Sequence, residues 1–114
     1  MSADVSIADE NFNYTHNVSE MFYDHIPDRG AGGGLRELSG KTGRQGVVIL
    51  REFFKNLDKT RMNNLSENCV GEPKFCALYD AKNGWGSAVG AMLFVSKILA
   101  ACANNPRHKI HVSL

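Results

Sequence analysis

Residues that could bind a small ligand fall in three short polar segments of the chain. Each segment precedes a predicted helix and combines hydrogen-bonding side chains with glycine or with a helix start, where backbone N–H groups attract anions. We predict that the three segments together form one pocket. Its candidate residues are Asn13, Thr15, His16, Asn17, Lys41, Thr42, Asn83, Gly84, Trp85 and Gly86.

The segment 83–87 is the most informative of the three because it holds the only tryptophan of the chain between two glycines. One interpretation is structural: a tight turn in which Asn83 or Ser87 caps the following helix and Trp85 packs beneath it. The other is functional: the glycines let a ligand approach the backbone, and the indole ring offers a stacking surface. The two interpretations are compatible with each other.

The segment 13–17 lies where a predicted strand, 12–16, meets a predicted helix. Asn17 and Glu20 have the spacing of a capping box, which favours a helix start at this point. The polar side chains of this corner either satisfy local backbone groups or serve as donors and acceptors for a ligand.

The segment 40–42 invites comparison with a nucleotide phosphate-binding loop, because Gly40-Lys41-Thr42 follows Gly34. The motif has the spacing Gly-x-x-x-x-Gly-Lys-Thr, whereas here one residue too many intervenes and no apolar strand precedes it. Thr42 and Gln45 instead have capping-box spacing, so Thr42 is predicted to cap a helix. A simpler anion site, formed by Lys41 and the helix N-terminus, remains an expectation.

Neither a metal site nor a catalytic constellation is predicted. His108 and His111 have odd spacing in a predicted strand and therefore point to opposite faces of it. The chain lacks a Gly-x-Ser-x-Gly motif, and its three cysteines include no Cys-x-x-Cys pair. We expect no cofactor and no metal. The one catalytic alternative is a small hydrolase that uses His16 as its acid or base.

Hydrophobic periodicity predicts two long helices between terminal strands. An apolar stripe indicates a helix over 43–62, about 30 Å long, and a second stripe indicates a more deeply buried helix over 87–103. Strands are predicted at 12–16 and 108–114, with short helices at 18–25 and 73–79. The predicted fold is an α+β domain in which the N- and C-terminal strands are neighbours in one small sheet.

The whole chain, 1–114, is predicted to form a single domain. Apolar and polar residues alternate weakly over residues 1–10, which are interpreted either as a short strand or as a frayed tail. Residues 27–34 contain four glycines and are predicted to form a mobile loop.

The composition excludes several classes of protein. Thirteen basic and 12 acidic side chains give a formal net charge of +1, without the basic excess of a nucleic-acid-binding protein. The longest apolar segment, 88–102, is too short to span a bilayer, so no membrane partner is expected. The absence of a secretory signal and the odd number of cysteines predict a cytoplasmic protein. The apolar segment also predicts a homo-oligomer, because a second copy could cover one side of its helix.

Two of the polar segments resemble a known group of proteins. Tyr14-Thr15-His16-Asn17, Asn83-Gly84-Trp85-Gly86 and a closing strand that ends in Val112-Ser113 are similar to signatures of small uncharacterised proteins encoded by bacteriophages. The resemblance covers both ends of the chain but not its glycine-rich middle. It implies a protein that works in the cytoplasm of a bacterial host, where small phage proteins bind a host protein or a nucleotide signal of antiviral defence.

These observations lead to three hypotheses. The leading one is a non-enzymatic, phage-type protein that captures a small polar or nucleotide-like ligand and thereby counters host defence signalling. The alternative is a protein–protein module that inhibits a host bacterial enzyme through an exposed helix face or the loop 30–34. The third is the hydrolase that depends on His16.

Overall fold

The computed structural model describes residues 2–15, 19–63, 79–81, 83–84 and 86–114. Within these ranges lie the strands β1 (Ser2–Ile7), β2 (Glu10–Thr15) and β3 (Ile110–Ser113), the helices α1 (Ser19–His25), α2 (Gly43–Asn63) and α3 (Ala88–Asn104), and a 3-10 helix (Gly34–Leu38). The predicted α+β class is confirmed, with two long helices packed on a sheet made from N- and C-terminal strands. The short helix predicted over 73–79 and the cap predicted at Asn17 lie outside the described residues, apart from Tyr79.

The sheet is antiparallel with the order β2-β1-β3, so β1 is its central strand. Residues 2–7 are therefore a strand and not a frayed tail. The predicted pairing of the strands at 12–16 and 108–114 is wrong, because β1 lies between them. The reason is local. The two-residue turn Ala8-Asp9 makes β1 and β2 a hairpin, so β2 occupies one edge of β1 and β3 can pair only with its other edge.

One face of the sheet is apolar and packs against the helices. Val5, Ile7 and Ile110 on this face are fully buried. The opposite face carries short polar side chains, as the period of two along each strand requires. These polar residues are Asp4, Ser6, Asn11, Asn13, His111 and Ser113.

The two long helices begin at the caps that the sequence predicts. Thr42 Oγ1 accepts a hydrogen bond from the Gln45 N–H at 3.3 Å, and the Thr42 N–H donates to Gln45 Oε1 at 3.0 Å, which is a capping box. Ser87 caps α3 by accepting from the Gly90 N–H at 3.0 Å. No helix in the described ranges is long and apolar enough to cross a membrane.

The helices α2 and α3 are antiparallel, so the start of α2 packs against the end of α3. The backbones approach closely there because residue 43 is glycine: a Cβ atom at Gly43 would lie 2.6 Å from the carbonyl oxygen of Cys102. Aromatic rings then connect the layers of the core. Phe22 of α1 lies 6.1 Å from both Phe53 of α2 and Phe94 of α3, measured between ring centroids.

Candidate ligand-binding cleft

The structure brings two of the three predicted ligand segments together. The Tyr14 hydroxyl accepts a hydrogen bond from the Ser87 N–H at 3.1 Å. Thr15 follows Tyr14 on β2, and Ser87 ends the segment 83–87, so the end of β2 and this turn are neighbours. The predicted ligand residues His16, Asn17 and Trp85 lie outside the described residues.

The third segment lies at the other end of α3. The Gly40 N–H donates to the carbonyl of Ile110 at 2.9 Å, and the Ile110 N–H donates to the carbonyl of Lys41 at 2.7 Å, which fixes Lys41 and Thr42 beside β3. The 17 residues of α3 separate this point from Ser87 by about 25 Å. The prediction of one pocket formed by all three segments is therefore wrong. The antiparallel packing of α2 on α3 places the start of one helix beside the end of the other.

The backbone donors at the start of α2 are already used within the protein. The Gly43 N–H donates to the carbonyl of His108 at 2.8 Å, and the Arg44 N–H donates to that of Pro106 at 3.0 Å. Every other N–H group from residue 40 to residue 46 also has a partner. An anion at Lys41 and Thr42 would find no backbone N–H to bind, so the structure does not support the expected anion site.

The turn before α3 leads into a helix cap as predicted, whereas the predicted packing of Trp85 lies outside the described residues. The Ala81 N–H donates to the carbonyl of Gly86 at 3.0 Å, and the Gly84 N–H donates to that of Ala81 at 3.1 Å. Of the two proposed caps, Ser87 is the one that caps the helix. A ligand role for Asn83, Gly84 and Gly86 stays a prediction.

A cleft of about 190 Å³ opens beside the end of β2, between α1 and the 3-10 helix. We call it the α1 cleft. Of the predicted ligand residues that the structure describes, Thr15, at the end of β2, lines it, whereas Asn13 does not. The described residues that line the α1 cleft are Ala3, Thr15, Ser19, Phe22, Tyr23, Leu35, Arg36 and Leu114.

Helix α1 supplies one wall of the cleft. Ser19, Phe22 and Tyr23 have the spacing that places side chains on one face of a helix. Phe22 is almost fully buried and anchors this wall in the core, whereas Tyr23 is 45% exposed at the rim. The Tyr23 ring lies against Gly34, where a Cβ atom would come within 3.1 Å of two ring carbons. A side chain at residue 34 would therefore push the ring aside.

A buried carboxylate positions the opposite wall. Glu37 is only 2% exposed, and its carboxylate accepts hydrogen bonds from the N–H groups of Arg29 at 3.0 Å, Ala31 at 3.0 Å and Gly33 at 2.8 Å. The glycine-rich segment therefore wraps around Glu37 and fixes the 3-10 helix that carries Arg36. Whether residues 27–34 are mobile in solution stays a prediction.

A second carboxylate orders the same segment from its exposed side. Asp28 Oδ1 accepts hydrogen bonds from the N–H groups of Gly30 at 2.8 Å and Gly32 at 3.1 Å. These two bonds hold the pKa of the Asp28 carboxyl below its usual value, and the bond from Gly30 makes the larger contribution. The side chain of Arg29 extends from this segment to form an ion pair with Glu52 of α2.

The chemistry of the α1 cleft suits a polar ligand with an anionic group. Arg36 is the one charged side chain among the described lining residues. The lining also includes three hydroxyl-bearing residues, Thr15, Ser19 and Tyr23, and the apolar residues Ala3, Phe22, Leu35 and Leu114. A mainly apolar lining with a few polar groups is the usual composition of a small-molecule site. The sequence indicated Thr15 but missed Ser19, Tyr23 and Arg36, because nothing local shows that α1 and the 3-10 helix face each other.

Two observations concern the His, Cys, Asp and Glu side chains of the described part of the chain. No three His, Cys, Asp or Glu side chains there lie close enough together to hold a metal ion. Burial, with a smaller contribution from Glu10, raises the pKa of the Cys102 thiol to about 11, so this thiol stays protonated at neutral pH. The hydrolase hypothesis depends on His16, which lies outside the described residues.

Comparison of the chain with protein-family models, curated proteins and solved structures finds no match.

Proposed function

We propose that this protein is a non-enzymatic binding protein that captures a small polar, nucleotide-like ligand in the α1 cleft. One observation carries the proposal: a guanidinium group, Arg36, and an aromatic hydroxyl, Tyr23, line the same cleft, together with the buried apolar side chains of Phe22 and Leu35. A guanidinium binds phosphate or carboxylate oxygens in bidentate geometry. An exposed tyrosine ring offers a face on which a planar base can stack.

The size of the cleft limits how much of the ligand it can enclose. Pockets that enclose a whole drug-sized molecule measure about 300–1,000 Å³, whereas the α1 cleft measures about 190 Å³. We therefore propose that it holds one group of the ligand, such as a base or a phosphate with its sugar, while the remainder extends into solvent.

We further propose that the bound molecule is a signal of host antiviral defence and that the protein works in the cytoplasm of a bacterial cell infected by a phage. Support for this setting comes from the resemblance of the segments around Thr15 and Gly84 to phage proteins. Capture without turnover would lower the free concentration of such a signal.

A titration followed by ¹H–¹⁵N NMR tests the proposal with defined probes. AMP, UMP and inorganic phosphate are added separately to the labelled protein. We expect a nucleotide to shift the amide signals of Ser19, Tyr23 and Arg36, and we expect phosphate alone to act more weakly because it cannot stack. Arg36→Ala should abolish the shifts. Lys41→Ala is the matched control, because it removes one cation that does not line the cleft and should leave the shifts unchanged.

Two outcomes would contradict the proposal. One is the absence of shifts with every probe, which would favour the host-enzyme module. The other is an equal loss of binding in Arg36→Ala and Lys41→Ala, which would mean that net charge and not the α1 cleft attracts the nucleotide.

A further inference from the structure

The outer edge of β2 carries backbone groups that point away from the sheet. Ile7 and Glu10 close a two-residue turn, so they form the hydrogen-bonded pair next to it. Hydrogen-bonded and non-hydrogen-bonded pairs alternate along an antiparallel ladder. Phe12 therefore bonds to β1, whereas the N–H and C=O groups of Asn11 and Asn13 face outward.

Hydrogen bonds at the opposite edge of the sheet fix the same alternation independently. Both backbone groups of Ile110 bond to residues 40 and 41, so Ile110 faces away from β1. Its partner Ile7 must then direct its own groups towards β2, as the turn requires. The segment 40–42 thus covers part of the β3 edge. In the described ranges no segment covers the β2 edge, and the side chains of Asn11 and Asn13 are exposed.

Strand β2 lacks the features that usually prevent an edge strand from pairing. Such features are proline, a bulge or an outward charge, especially lysine. The six residues of β2, Glu-Asn-Phe-Asn-Tyr-Thr, pair with β1 in unbroken register and include neither proline nor lysine. The one charged residue, Glu10, accepts a hydrogen bond from Asn105 Nδ2 at 3.1 Å.

We propose that β2 pairs antiparallel with β2 of a second copy of this chain, so that the two sheets become continuous across a two-fold axis. A register centred on Phe12 places Asn11 of each copy opposite Asn13 of the other. Each of these residues then donates one backbone hydrogen bond and accepts one. The same register sets the two Phe12 rings side by side, and each ring is only partly buried in its own copy.

Helix α3 packs on β2 and carries two exposed apolar side chains on its outer surface. Phe94 of α3 stacks on Tyr14 of β2 with ring centroids 5.7 Å apart. Val89 and Leu93, one helical turn apart, are 50% and 57% exposed. The helical repeat places them on the flank of α3 opposite Cys102, which faces α2. The same repeat also places both residues about 100° or more around the helix from Phe94, which faces β2, so they point away from the sheet and β2 itself supplies the interface.

Two double variants of β2 test this register. N11K/N13K sets lysine opposite lysine in both cross-copy pairs, whereas N11K/N13E sets lysine opposite glutamate at the same positions. Only exposed side chains change, so circular dichroism should show an intact fold in both variants. H111K/S113K is the matched control, because it adds lysines to exposed positions of the other edge strand.

Light scattering after size-exclusion chromatography measures the outcome. The wild type, H111K/S113K and N11K/N13E should each have twice the chain mass of 12.5 kDa. N11K/N13K should dimerise roughly tenfold more weakly. A wild type that elutes at the mass of one chain overturns the proposal. The proposal is also overturned if N11K/N13K dissociates no more readily than N11K/N13E, or no more readily than H111K/S113K.

Discussion

The hydroxyl of Tyr14 accepts a hydrogen bond from the backbone N–H of Ser87, and this bond joins the end of β2 to the start of α3. The contact depends on Gly90: a Cβ atom at that position would overlap the Tyr14 hydroxyl and lie 2.8 Å from Cζ of the ring. The junction places the end of β2, and with it one side of the α1 cleft, against the helical core.

Substitution of Gly90 by alanine should therefore destabilise the protein. Overpacking costs about 1–3 kcal/mol, and the higher helix propensity of alanine offsets about 1 kcal/mol of that cost. We expect Gly90→Ala to lower the free energy of unfolding in urea by up to about 2 kcal/mol. In a Tyr14→Phe background, which lacks the overlapping hydroxyl, the same substitution should cost less. An equal cost in both backgrounds would contradict the assigned contact.

The buried carboxylate of Glu37 should be essential for the conformation of the glycine-rich segment. Glu37→Gln keeps the shape but replaces one accepting oxygen by a donor that faces a backbone N–H. We expect a loss of about 1–3 kcal/mol in the free energy of unfolding and faster cleavage by trypsin after Arg29. Glu52→Gln removes only the exposed ion pair with Arg29 and should cost less than about 1 kcal/mol. Equal effects of the two variants would exclude the role assigned to Glu37.

The Asp28 carboxylate should make stability depend on pH in the acid range. Its pKa in the folded protein lies below the ordinary value of 3.8. The charged form therefore stabilises the fold above that value, and the contribution disappears as the pH falls through the lowered folded pKa. We measure the free energy of unfolding in urea at pH values from neutral to below 3.8 and expect it to depend less on pH in Asp28→Asn than in the wild type. Parallel curves for the variant and the wild type would contradict the prediction.

The hairpin turn between β1 and β2 offers a stabilising substitution. Ala8 has a φ of 54°, a left-handed conformation that is unfavourable for any residue with a Cβ atom. Ala8→Gly should raise the free energy of unfolding by about 0.5–1 kcal/mol, after allowance for the greater freedom of glycine in the unfolded chain. Ala100→Gly, at an exposed position within α3, should lower it by about 1 kcal/mol. The same sign for both changes would argue against strain at Ala8.

The sequence predicted the helices well because their signals are local. The capping box of Thr42 and the cap at Ser87 lie next to the apolar stripes that they start, so the bounds of α2 and α3 differ from the predicted ones by one residue. The sheet order was missed for an equally local reason. The turn Ala8-Asp9 has neither of the usual hairpin pairs, Asn-Gly or Asp-Gly, and the backbone conformation of Ala8 is not visible in the sequence.

The site was harder to predict because it depends on contacts between distant segments. In the sequence, Lys41 and Thr42 look like an anion site. In the structure, backbone carbonyls of the loop before β3 accept the hydrogen bonds of the first N–H groups of α2. Tyr23 and Arg36 form the α1 cleft only because Glu37 gathers the glycine-rich segment around itself. The one available signal for that role was Glu37 itself, a glutamate directly before Leu38 at the end of the glycine-rich segment.

Native mass spectrometry of the protein purified from bacterial cells, compared with the same sample after denaturation, tests most directly whether the protein captures a small molecule. We expect extra mass that is lost on denaturation, present in the wild type and in Lys41→Ala but absent from Arg36→Ala. The wild-type protein at the bare mass of one or two chains, with nothing released on denaturation, would contradict it.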